Sequence, residues 1–71
     1  MKTIGETIRE SRRGAGMTQE QLAKRAGVCK RALENWERGT RLPSLPGLLS
    51  LADALDMSLD ALVGRERRGN T

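Results

Sequence analysis

Apolar residues recur along this chain at spacings of three and four, with no stretch of strict alternation, so the pattern predicts helices and no strand. Ile4 and Ile8 give one apolar stripe to a first helix over about residues 3–13, ended by Gly14 and Gly16. A second helix is expected over residues 18–26, burying Leu22, Ala23 and Ala26. Its start reads Thr18-x-x-Gln21, a capping box in which hydroxyl and amide satisfy orphan backbone donors reciprocally. Met17, just before the cap, is placed to staple onto Leu22. Gly27 permits the positive φ of a turn, and Val28 fills the corner behind it. The third helix covers about residues 29–38, buries Leu33 and most of Trp36, and stops at Gly39. After the connector Thr40-Arg41-Leu42-Pro43, Ser44 caps a fourth helix. There Leu45, Leu48, Leu49, Ala52 and Leu55 follow the helical period, and Leu51 widens the stripe as for a helix packed on two sides. Pro46 is tolerated because first-turn N–H groups have no intrahelical partner. A short fifth helix is capped by Ser58, carries Leu59, Leu62 and Val63, and is stopped by Gly64.

One local rule is broken in this pattern. The third helix opens with Lys30 and Arg31, although a helix N-terminus already carries partial positive charge. Each misplaced cation costs roughly 0.3–1 kcal/mol when weakly screened. Glu20 and Asp60 obey the rule in the first turns of their own helices. A conflict inside an otherwise consistent sequence marks a candidate functional site, and an anionic partner such as DNA would relieve it. Arg31, Glu34, Asn35 and Arg38 lie at i, i+3, i+4 and i+7, so they share one wholly polar face.

Composition narrows the classes. With 71 residues the chain has room for one domain, here residues 1–64, followed by a charged tail 65–71 that lacks apolar residues and is expected to be disordered. The net charge is +4, and it is uneven: basic residues concentrate in 1–41, whereas 42–63 carry only Asp53, Asp56 and Asp60. That polarity suits a polyanion at one face, and ordinary solubilising charge is the alternative. A single cysteine allows no intrachain disulfide, fits the cytosol, and has no histidine to join it in a metal site. Without histidine, without a base beside Cys29 and without a strand to present a phosphate loop, no enzyme, cofactor or metal is expected. Apolar runs are only a few residues long, and the first residues lack an apolar signal core, so neither a membrane span nor export is expected.

Gln19, Leu22-Ala23, Gly27-Val28, Leu33, Trp36-Glu37-Arg38-Gly39 and Pro43-Ser44-Leu45 together resemble the helix-turn-helix of the XRE/Cro family, which includes the repressors and Cro proteins of lambdoid phages. The likeness runs over residues 4–64. It implies an all-α, five-helix bundle of the lambda-repressor-like type, with the second and third helices as the DNA-reading unit. In such proteins the third helix lies in the major groove with its N-terminal residues on base edges. The matching positions are Lys30, Arg31, Glu34 and Asn35. Their chemistry suits the role: Arg and Lys donate to guanine, Asn bonds adenine bidentately, and Glu accepts from cytosine. Phosphate contacts carry over to Gln19, Arg38, Arg41 and Ser44, the last also because a helix N-terminus attracts phosphate. Arg12 and Glu37 match a structural ion pair between the first and third helices.

The resemblance implies a sequence-specific regulator of transcription, a repressor in type, in the cytoplasm of a prokaryote or encoded by a phage. It would bind near-palindromic double-stranded DNA as a homodimer, with no membrane and no small-molecule ligand. The alternative is a protein-interaction module, antitoxin-like or a controller protein, on the same fold. Three departures stand out. Cys29 occupies the cap position where Ser or Thr is usual, and a thiol accepts hydrogen bonds weakly. Ser11 replaces a leucine, and Gly47 replaces a helix former; both are expected to lower stability.

Overall fold

Four of the five described helices start where a side-chain oxygen takes up a backbone donor; the third does not. The structure, a computed structural model, describes residues 3–63, so the expected tail 65–71 and the stop at Gly64 lie outside it. Five helices follow in order: α1 (Ile4–Gly14), α2 (Gln19–Ala26), α3 (Lys30–Arg38), α4 (Leu45–Leu55) and α5 (Leu59–Val63). No strand occurs among the described residues, so the all-α, five-helix architecture is the one expected.

The box at α2 forms as read: Thr18 Oγ1 accepts from Gln21 N at 3.1 Å, and Gln21 Oε1 accepts from Thr18 N at 2.8 Å. A second box, not foreseen, opens α1. Thr3 lies outside the helix as its cap, bonded reciprocally to Glu6 at 3.0 and 3.1 Å. Ser44 and Ser58 accept from Gly47 N and Ala61 N at 3.3 and 3.1 Å. Gly27 and Gly39 end α2 and α3 in the left-handed region, at φ 73° and 84°, where a Cβ would be strained. Of the two glycines expected to end α1, Gly14 is its last helical residue and the cap falls on Ala15, while Gly16, at φ 73°, turns the chain out of the helix.

Each helix commits one aliphatic side chain wholly to the core: Ile8, Leu22, Leu33, Leu51 and Leu62 are all 0% exposed. Ala23, Ala52 and Ala54 fill the spaces between them, and Met17, Val28 and Trp36 pack on the margin. Burial of this kind contributes about 25 cal/mol per Å² of apolar surface, and it closes α1 onto α3 and α4 onto α2 and α5.

The expected stripe on α4 is only partly correct. Leu48 and Leu55 lie on its half-buried side, but Leu45 and Leu49 are 60% and 51% exposed. The buried arc runs from Ala54 through Leu51 to Ala52, because α2 and α5 both pack on that side. Periodicity finds the apolar positions but not which of them a neighbour reaches.

Gly47 also reads differently in three dimensions. A Cβ there would stand 3.0 Å from Cη2 and 3.3 Å from Cζ2 of Trp36, so the indole lies against a bare helix backbone. The residue that looks like a lapse in helix propensity is the seat of the chain's one aromatic ring. Gly5 serves α1 similarly. A Cβ on it would meet Trp36 O at 2.4 Å and Glu37 O at 2.7 Å, so only glycine lets α1 approach the end of α3 this closely.

Candidate nucleic-acid interface

The geometry of α3 follows from its two ends. At its start, Cys29 has an extended backbone and makes no side-chain cap bond, and no acidic residue stands in the first turn. The first backbone N–H groups of a helix have no intrahelical acceptor, so this end presents donors and partial positive charge together. Lys30 and Arg31 are exposed there. Lys30 Nζ lies 3.9 Å from Glu34 Oε2 one turn on, an exposed i,i+4 pair that partly offsets one of the two cations. Arg31 forms no ion pair with a described residue. Glu34 and Asn35 are half-buried on the same face.

The far end of α3 is fastened by a buried carboxylate. Glu37 is 5% exposed and accepts from Arg12 Nε at 2.8 Å and Arg12 Nη2 at 3.2 Å, the fork-to-fork geometry that makes such pairs strong. Arg12, itself 9% exposed, spends its remaining nitrogen on Met17 O at 2.9 Å. The ion pair implied by the family resemblance is therefore present, and it is larger than a pair. Gln19 Nε2 donates to Glu37 Oε1 at 3.1 Å. Arg9 Nη2 donates to the Glu37 carbonyl at 3.3 Å, with its Nε 3.8 Å from the carboxylate. One carboxylate thus ties α1 and the start of α2 to the end of α3.

Arg9 was missed in the sequence, although it stands one turn from Arg12 on the same face of α1, which was signal enough to pair them. Gln19 is at the start of α2 as expected, but its side chain turns inward to Glu37; what it offers outward is its first-turn backbone N–H. Ser44 similarly uses its hydroxyl to cap α4, leaving the backbone at that helix start as its outward contribution. Arg38 and Arg41 are exposed at the end of α3 and in the connector. An open cleft of about 320 Å³ is lined by Arg9, Arg13, Glu34 and Arg38 together with the Arg12–Glu37–Gln19 cluster. Cations outnumber carboxylates along that cleft. Among the described residues, no cluster of His, Cys, Asp or Glu has the arrangement of a metal site, and no helix is long and apolar enough to cross a membrane.

Residues 8–62 match the helix-turn-helix family model. The transcriptional repressor RstR of the cryptic phage CTXphi, from Vibrio cholerae, is 36% identical over 87% of this chain and 55% of the relative. The chain spans about half the length of the curated relatives it first matches. Among solved structures, the P22 c2 repressor in complex with a synthetic operator superposes with a TM-score of 0.86 at 35% identity, over 93% of this chain and 100% of that one. The restriction-modification controller protein C.AhdI of Aeromonas hydrophila does so at 0.81 and 39% identity, over 83% and 89%.

Proposed function

Because the chain belongs to the helix-turn-helix family, we propose that it is a regulator of transcription that binds double-stranded DNA with α3 in the major groove. One observation carries the reading. The start of α3 is uncapped, unrelieved by any acidic first-turn residue, and flanked by the exposed cations Lys30 and Arg31. A helix end left in that state is completed by an anion from outside. Lys30, Arg31, Glu34 and Asn35 then meet base edges. Arg38, Arg41 and the backbone N–H groups at the starts of α2 and α4, beside Gln19 and Ser44, meet phosphates. Arg12 and Glu37 hold the frame. The likeness to repressors, one of them solved on its operator, supports repression, a cytoplasmic setting, and a homodimer on a near-palindromic site.

Selection from a random duplex library, run with the wild type and with Arg31→Ala, tests the assignment. The expected result is loss of one base preference at a cost of about 1–3 kcal/mol. Uniform weakening on every sequence would move Arg31 to a phosphate. Salt titration separates the alternative, a protein-interaction module. Each neutralised phosphate adds about −0.9 to the slope of log K against log salt, and a module for protein partners would show almost none on duplex DNA.

A further inference from the structure

We propose that Thr40 decides which base edge Asn35 reads, by holding the Asn35 amide with its NH2 group turned outward. The proposal rests on the reading of α3 as the groove helix. Gly39, at φ 84°, turns the chain back over the last turn of α3 and brings Thr40 beside Asn35. The Asn35 carbonyl accepts from Gly39 N at 2.9 Å, Thr40 N at 3.1 Å and Arg41 N at 3.4 Å. The Thr40 hydroxyl lies 3.3 Å from that carbonyl oxygen and 3.2 Å from Asn35 Oδ1. A carbonyl oxygen has two lone pairs, and backbone amides already meet both. The hydroxyl proton therefore goes to Oδ1, 3.2 Å away, rather than to the carbonyl oxygen at 3.3 Å, which three backbone N–H groups already reach.

An amide is planar, so holding its oxygen aims its nitrogen the other way. An unrestrained asparagine offers one acceptor and one donor, the pair that matches adenine N6 and N7. With Oδ1 turned in towards Thr40, the outward side of the amide is its nitrogen, whose two N–H donors suit the two acceptors of guanine, N7 and O6. The adenine preference expected from residue type alone is thereby replaced by a guanine preference. Thr40 acts here as a positioning residue: it touches Asn35, and Asn35 touches the base.

The test uses library selection with four proteins. Asn35→Ala locates the base pair that Asn35 reads, as the position where preference disappears. At that position the wild type is expected to favour guanine over adenine by about 5- to 150-fold, the range of a good two-bond contact. Thr40→Val removes the hydroxyl from an exposed site, frees Oδ1, and is expected to move the preference towards adenine while leaving the salt slope unchanged. Thr40→Ser keeps the hydroxyl and is expected to select as the wild type does. The same preference in Thr40→Val and wild type overturns the proposal, as does equal weakening of Thr40→Val on all sequences. A wild-type choice of an A·T pair over a G·C pair at that position reverses the amide and overturns it too. If the wild type selects no duplex sequence at all, the DNA reading fails and this proposal falls with it; the other failures leave that reading intact.

Discussion

The two helices that flank the Gly27 turn are finished in opposite ways. At α2, a reciprocal box between Thr18 and Gln21 closes the start, and Glu20 answers the dipole. At α3, the cap side chain bonds nothing, the first turn holds no acid, and two cations stand where acids belong. The far end of α3 is the reverse of its start. There Gly39 closes the backbone, Glu37 gathers Arg9, Arg12 and Gln19, and Trp36 lies between Gly5 and Gly47. Helix α2 is stabilised by its own sequence. Helix α3 is anchored by tertiary contacts at one end and left incomplete at the other. The difference is the basis on which we propose that the start of α3 meets a partner.

The anchor is where the largest effect is expected. Glu37→Leu leaves Arg12 buried with only the Met17 carbonyl to bond. Breaking a buried pair from one side costs about 3–5 kcal/mol, whereas replacing both partners by apolar residues is often near neutral. Urea unfolding followed by Trp36 fluorescence should therefore show Glu37→Leu far below wild type, with Arg12→Met/Glu37→Leu regaining most of the loss. A single variant costing under about 1 kcal/mol, the range of exposed pairs, would mean that the end of α3 is not held by this carboxylate.

A smaller effect separates two glycines of the same helix. Gly5→Ala forces a methyl group into the backbone of α3 and should cost about 1–3 kcal/mol or more. Gly14 is helical too, yet a Cβ there meets nothing within 4 Å, so Gly14→Ala should gain up to about 1 kcal/mol from propensity alone. If both changes had the same sign, the close approach of α1 to α3 would be in doubt.

That contrast also shows how much of the molecule was legible in the sequence. Features fixed by a few neighbouring residues could be read directly: the Thr18 box, the Gly27 turn, the Ser44 cap and the polar face of α3. The Arg12–Glu37 pair came from resemblance, and the structure makes it the centre of a larger cluster. What could not be read depends on a distant neighbour. The cost of Gly47 in a helix is visible locally, but its reason is the Trp36 ring, eleven positions away. Leu45 and Leu49 have the helical period, but α2 and α5 cover the other side of α4. Gln19 sits where the family resemblance implies a phosphate contact, yet a buried carboxylate on another helix claims its amide.

The smallest expected effect tests the comparison most directly, because it exchanges the chemistry of the two helix starts. Thr18→Ala removes a working cap and should cost about 0.5–2 kcal/mol. Cys29→Ala removes a side chain that caps nothing and should change stability by no more than a few tenths of a kcal/mol, the scale of surface changes. Equal losses would show the thiol capping α3 after all. Cys29→Asp goes further. A carboxylate there can accept the orphan N–H groups and answer both the dipole and Lys30 and Arg31, so the protein should become more stable by about 0.5–1 kcal/mol. The same carboxylate would face phosphate at the mouth of the groove, so duplex binding should weaken as the fold strengthens. Opposite movement of the two measurements is the signature of a helix start whose missing half is the nucleic acid. If stability and binding rise together, the uncapped start of α3 is a defect of this chain and not a site.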